Sequence, residues 1–333
     1  MLCVHGIPAV IVGGIGETMK NEKKDAGNLT VSVIIPAYKP DDKFPKLLRM
    51  LEKQTCSFER LIIMNTEKQY WKKEWEELVS KMEVHHIRRE EFDHGGTRAQ
   101  AANMCTSDIL VYFTQDAVPA DEYVIENLIK AFENPKTGAA YGRQLPAKDC
   151  QIAERYTREF NYPKTGRVKS KEDLPVLGIK TFFCSNVCAA YRRDLYEKLG
   201  GFITHTIFNE DMIYAGNLVM AGYSVAYQAD ARVIHSHNYG NMQQFRRNFD
   251  LAVSQADHPE VFAGIRSESE GIRLVKNTAL SLWKIHKPWL IPGMIVKSGF
   301  KFMGYRTGKR YQCLPRKVVL WCTMNPSYWT DEK

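Results

Sequence analysis

Between Gly271 and Thr330 this 333-residue chain has no Asp and no Glu. Eleven Lys and Arg fall in the same span, so the net charge of +8 is confined there and the remainder carries −3. So one-sided a stretch calls for an anionic partner or surface. Other absences narrow the class. The eight Cys include no CxxC pair, which argues against zinc or a disulfide framework and for buried thiols in a reducing compartment. No run of about 18 apolar residues occurs, so no spanning helix is expected. Ile7–Ile15 is apolar but short, and no charged stretch precedes it, so it does not read as a signal peptide. There is no internal repeat and no low-complexity tract. With 44% apolar and 25% charged residues, the composition is that of a globular chain of one large or two ordinary domains.

What is present alternates strand and helix. Val31–Pro36, Arg60–Asn65, Val84–Ile87, Asp108–Phe113 and Ala139–Gln144 are β-branched and apolar runs that read as buried strands. Helical spacing is expected at Phe44–Gln54, Trp71–Lys81, Phe92–Cys105, residues 120–133 and Phe208–Met220. This order predicts an α/β fold with a mostly parallel sheet. Residues 146–180 read as a mobile loop region. Phe182–Tyr191 reads as a strand interrupted at Ser185-Asn186, and Tyr223–Tyr227 and Ala231–His237 as two more. Residues 1–29 form a polar leader whose order is left open, 30–240 the α/β domain, and 241–333 a basic, aromatic helical region.

Chemistry-bearing residues fall at element ends. Asp116 follows the run ending in Phe113, where open α/β sheets bind ligands, though it also suits a helix cap. Gly95-Gly96-Thr97-Arg98 opens a helix. Two glycines there permit close backbone approach to an anion, or merely a turn with Thr97 near the N-cap. Glu210-Asp211 begins another helix, where acids also complement the dipole. His235 and His237 end a strand.

Taken in order, these segments resemble a family 2 inverting glycosyltransferase of the GT-A fold. The resemblance runs from Val31 to Tyr239. It rests on Val31-Ser-Val-Ile-Ile-Pro-Ala-Tyr, Gly95-Gly-Thr-Arg-Ala-Gln-Ala-Ala-Asn, Thr114-Gln-Asp-Ala, Ser185-Asn-Val-Cys, Glu210-Asp211 and His235-Ser-His. The Phe92-Asp-His-Gly-Gly-Thr-Arg variant, Phe302-Met-Gly-Tyr-Arg-Thr-Gly-Lys and Pro326-Ser-Tyr-Trp are similar to the rhamnosyltransferase branch, which uses dTDP-L-rhamnose in bacterial cell-surface polysaccharide synthesis. Two segments depart from the pattern. The DxD motif is reduced to Gln115-Asp116-Ala117, and the second strand ends in Asn65-Thr-Glu rather than an Asp pair.

The resemblance implies a set of roles. Pro36, Tyr38, Asn65, Gly95, Gly96, Arg98, Gln115 and Asp116 would contact the nucleotide-sugar. Asp116 with His235 or His237 would hold Mg²⁺ or Mn²⁺. Asp211 would be the base of a single displacement, with Glu210 orienting it. Ser185, Asn186, Gln243, Arg246 and Arg247 would meet acceptor or diphosphate, the last three by likeness to a QxxRW motif. The acceptor is expected to be a glycan or a polyprenyl-diphosphate-linked acceptor, the second placing the reaction at a membrane. The basic aromatic tail would then lie on an anionic membrane surface, placing the enzyme in the cytoplasm at the inner face of the membrane. Nucleic acid is a competing reading of that tail, set aside because the core motifs point to sugars, and a plain packing role, with helices covering the core, stays open. A UDP-sugar donor, a catalytically silent nucleotide- or glycan-binding protein, and a metal-dependent hydrolase on His235 and His237 are the rivals. Oligomeric state is left open.

Overall fold

A computed structural model describes residues 29–264 and 268–329. The leader expected over 1–29 lies, but for Leu29, outside the described residues. Strand β1 (Val31–Tyr38) pairs in parallel with β2 (Arg60–Thr66) and β4 (Ile109–Phe113), and β2 with β3 (Met82–Ile87). Val31, Val33 and Ile35 face one apolar layer and Ile34 the other. A strand covered on both sides needs such an unbroken apolar run.

Helix α1 (Phe44–Glu52) covers the first layer through Phe44, Leu47, Leu48 and Leu51. The second layer receives α2 (His94–Ala102). Beyond β4 the sheet turns antiparallel at β8 (Cys188–Arg192), then continues through β6 (Thr137–Leu145) to β9 (Ser224–Ile234). Short β5 (Val118–Pro119) and β7 (Arg167–Lys169) flank β9. Helices α3 (Val124–Ile129), α4 (Ile152–Asn161), α5 (Leu174–Leu177), α6 (Arg193–Lys198) and α7 (Glu210–Met220) complete this part. Then follow α8 (Asn241–Asp257), α9 (Pro259–Phe262), α10 (Glu268–Lys284), α11 (Ile291–Gly308) and α12 (Arg316–Cys322).

Four expectations are corrected. Trp71–Lys81 is not an α-helix but carries a 3₁₀ segment at Lys73–Leu78. Trp71 and Trp75 pack edge-to-face on Phe44, which holds the segment as a short anchored turn. Residues 146–180 contain α4, β7 and α5 rather than loop alone. The strand expected from Phe182 begins only at Cys188, because Asn186 turns its side chain and N–H to the acids of α7. The two runs at 223–237 are one strand: β9 slips register against β6 between Gly142 and Arg143, leaving 229–231 bulged. A Cβ at Gly142 would lie 2.5 Å from the Ala231 carbonyl oxygen in that bulge.

Helix α11 lies against α8 at close range. Added Cβ atoms at Gly304 and Gly308 would stand 2.1 Å and 2.3 Å from the carbonyl oxygens of Phe245 and Phe249. No described helix is long and apolar enough to cross a membrane. The described cysteines are all free.

Candidate active site

Asp116 is positioned from two sides. Gln115, just before it, accepts the Tyr38 N–H at 2.7 Å and donates to the Tyr38 carbonyl at 2.9 Å. The amide thus ties the carboxyl end of β1 to that of β4. Only a group with both a donor and an acceptor can do this, which accounts for Gln where the motif would have Asp. On the other side, β5 pairs Val118 with Ile234, the residue before His235.

Asp116 Oδ2 consequently lies 3.5 Å from His235 Nε2 and 3.4 Å from His237 Nε2. The ligand atoms of all three fall within 4.8 Å of one another. The tautomer of His235 follows from its neighbours. Gln144 Oε1 accepts from the Arg158 guanidinium, so the oxygen is on that side, and it stands 3.0 Å from His235 Nδ1. Nδ1 must therefore be the donor, and Nε2 turns a lone pair toward Asp116. Burial pushes His235 well below its usual pKa and lowers His237 as well, against the pull of Asp116. Neutral imidazole and carboxylate then face each other acceptor to acceptor. A divalent cation between Asp116 and His235 fits that donor set, and His237 Nε2 can join as a third ligand.

The acids of α7 divide their work. Glu210 Oε1 is held by Arg98 at 3.2 Å and by the Asn186 amide at 3.1 Å. It is buried and spent on the fold. Asp211 accepts the Asn186 N–H at 3.0 Å and the Met212 N–H at 2.8 Å. It is half-buried, with protein atoms crowding it. That crowding, then the charge of Glu210, push its pKa up to about 7, against both N–H bonds and Arg98. A carboxylate that releases its proton near neutrality suits a general base. The two centres are joined by one short path: Gln144 donates to Ser185 Oγ at 3.1 Å, and Ser185 precedes Asn186.

The remaining expected residues are placed as follows. Asp93, not Thr97, caps α2, accepting the Gly96 N–H. A Cβ on Gly95 would sit 1.8 Å from the Ile203 carbonyl oxygen. The close approach expected of these glycines is therefore to the chain itself: Gly95 meets the segment before α7, and Gly96 meets its own cap. Arg98 is buried, with its guanidinium on Glu210 and on the His94 carbonyl at 2.7 Å. Asn65 is fully buried beside His86, and its Oδ1 lacks a partner. Pro36 and Tyr38 lie at the half-buried end of β1, with the Tyr38 ring edge-on to Tyr70. Gln243 is exposed and caps α8 through the Gly240 N–H at 2.9 Å. Arg246 stands over Trp321, and Arg247 over Phe208 and Tyr239.

Sequence reading missed Gln144, Arg158 and Tyr239, the last stacked on His237 at 4.8 Å. Gln144 and Arg158 matter only through contacts made in the folded chain. Tyr239 could have been found as the aromatic two places after His237.

Strand order, the acids opening α7 and the His–His–Asp triad at the strand ends define a glycosyltransferase of the GT-A fold. The chain belongs to Glycosyl transferase family 2, whose model matches residues 32–200. It is 39% identical over 310 residues to the O-antigen chain rhamnosyltransferase RfbN of Salmonella typhimurium, spanning 91% of this chain and 97% of that protein. To the O-antigen chain rhamnosyltransferase WbaN of Salmonella anatum it is 42% identical over 245 residues, 72% of this chain and 77% of that one. The mannosyltransferase PcManGT of Pyrobaculum calidifontis, solved with GDP-Man and Mn²⁺, matches at TM-score 0.54 and 17% identity, covering 91% of this chain and 88% of that chain. TarS of S. aureus (residues 1–349) matches at TM-score 0.50 and 12% identity, covering 86% and 93%. These two share the fold.

Proposed function

We propose that the protein transfers L-rhamnose from dTDP-L-rhamnose, with inversion, to a hydroxyl of a lipid-linked glycan in cell-surface polysaccharide synthesis. One observation carries the mechanism: Asp211, a carboxylate opening α7, is hydrogen-bonded through residues 185–186 to the Asp116–His235–His237 triad. The rhamnosyl donor is supported by the two Salmonella relatives.

Asp211 takes the proton of the acceptor hydroxyl as that oxygen bonds to the anomeric carbon. The bond from that carbon to the nucleoside diphosphate breaks on the opposite face, so one displacement inverts the centre. A divalent ion held by Asp116, His235 and His237 would relieve charge on the departing diphosphate, and imidazole ligands favour Mn²⁺ over Mg²⁺. Burial first, and then repulsion from Glu210, which Arg98 fixes, keep Asp211 basic. Pro36 and Tyr38 take the donor's base at the half-buried end of β1, with Asn65 buried on β2 beside them. The C-terminal surface, basic and bearing exposed Trp283, Trp289 and Trp321, rests on an anionic membrane. Sedimentation with anionic but not neutral vesicles tests that contact.

The deciding experiment is donor turnover with and without EDTA across dTDP-rhamnose, UDP-glucose, UDP-galactose and UDP-N-acetylglucosamine. Metal-dependent release of dTDP from dTDP-rhamnose alone is expected. Turnover of a UDP-sugar instead would remove the rhamnosyl assignment and leave the mechanism. No turnover with a lipid-linked acceptor present would favour a silent binder.

A further inference from the structure

Beside the triad a groove of about 650 Å³ runs between α4 and the first half of α11. Ile152 and Ala153 line one wall, and Leu290, Gly293, Met294 and Val296 the other. Asn238, Tyr239, Gly240 and Asn241 line it as well. The Tyr239 ring stacks on His237, so the groove ends one ring away from the triad. At Leu290 it meets the turn joining α10 to α11, and Trp283 and Trp289, at the end of α10 and in that turn, are each 68% exposed.

Charge in the groove is unbalanced. Lys297 lies on the wall, its Nζ 3.2 Å from Gln151 Oε1. One helical turn on, Lys301 is half-buried, and burial lowers its pKa. Lys297, Arg158 and Arg247 repel its charge, and Glu154 offsets them. Glu154 is itself paired with Arg158 at 3.0 Å. Crowding cations at a partly dry site costs stability unless an anion joins them. A groove with an apolar α11 wall, the amides of Gln151, Asn238 and Asn241 opposite, and Lys297 with Lys301 one turn beyond matches an amphiphile with an anionic head.

We propose that this groove holds the lipid end of the acceptor, an isoprenoid chain against Leu290, Met294 and Val296 with its diphosphate at Lys297 and Lys301. The proposal rests on the reading of the reaction as transfer to a lipid-linked glycan, and it names the part of that substrate this face recognises. The glycan then continues past Tyr239 toward the triad. Exposed Trp283 and Trp289 at the outer end let the lipid enter without leaving the bilayer surface.

Farnesyl diphosphate, farnesol and inorganic diphosphate are titrated calorimetrically into the full chain, with EDTA present. Farnesyl diphosphate is expected to bind about tenfold or more tighter than either half alone. Gly293→Trp fills the groove, and a Cβ there meets nothing within 4 Å, so the fold accommodates it. It should weaken farnesyl diphosphate binding about tenfold or more. Gly299→Trp, equally open on the same helix but outside the groove, should leave binding unchanged. Lys297→Ala should weaken the diphosphate ligand and spare farnesol. Equal affinity of wild type and Gly293→Trp would overturn the proposal. So would inorganic diphosphate binding as tightly as farnesyl diphosphate, which would mark a bare anion site. The assay needs no sugar transfer. Groove binding without transfer therefore refutes the functional reading alone, and transfer without groove binding refutes this inference alone.

Discussion

Replacing Asp211 by Asn keeps the side chain's shape and removes its basicity. General-base catalysis is worth about 10²–10⁴-fold, or about 2.7–5.4 kcal/mol of barrier at 1.36 kcal/mol per decade. Asp211→Asn should therefore lower kcat by two to four decades with little change in the donor KM. The wild-type rate should rise with pH through about 7, where Asp211 loses its proton, because only the carboxylate accepts one. That limb should vanish in the variant's residual activity. Stability moves the other way. The folded pKa lies above the unfolded value of 3.8, so the folded chain retains a proton that the unfolded chain releases between about pH 4 and 7. The wild type should lose stability as pH rises across that window, and the variant should not lose this part. Against that gain, Asn can accept only one of the N–H groups of Asn186 and Met212, which costs about 1–3 kcal/mol. Stopped-flow or discontinuous donor assays across pH 5–9, with thermal melts at each pH, read both effects. A variant that keeps more than about a tenth of kcat, or keeps the limb near 7, would refute the assignment.

Gln144→Leu removes the acceptor that sets the His235 tautomer, and should weaken Mn²⁺ binding about 10–100-fold, read by calorimetry or Mn²⁺ EPR. Gln115→Glu leaves the Tyr38 carbonyl facing a carboxylate and should lower stability by about 1–3 kcal/mol, seen in urea melts. Gly95→Ala has no room beside Ile203 and should destabilise the fold and reduce kcat together. Gly299→Ala, in open space on α11, should instead stabilise by about 0.5–1 kcal/mol with activity unchanged.

What was legible in the sequence was local. The apolar runs of β1, β2 and β4 announce themselves because strands covered on both faces cannot tolerate polar interruption. Glu210-Asp211 and His235-Ser-His stand at element ends, and the fold brings Asp116 and the two histidines together as a ligand set. What escaped was tertiary. Helix α4 has no fully buried residue, and much of its cover comes from α10, more than a hundred residues on, so its apolar spacing carried little weight. The glycines of α2 looked like a ligand cradle, and nothing nearby in sequence reveals that Ile203 occupies the space. Arg98 looked free for a diphosphate, and only the folded chain sets it against Glu210.

Asp250, on α8, is almost fully buried. It accepts from Thr323 Oγ1 at 2.7 Å, the Met324 N–H at 2.9 Å and Asn325 at 3.1 Å. Burial pushes its pKa up to about 6. The donors that satisfy this carboxylate are thus supplied more than seventy residues later. During synthesis α8 emerges from the ribosome well before them, so it must wait with an unmet carboxylate until residues 323–325 are out. Residues 323–325 are in that sense what completes α8. A ribosome stalled or a chain cut before Thr323 would leave α8, and with it Arg247 above Tyr239, without its last fastening.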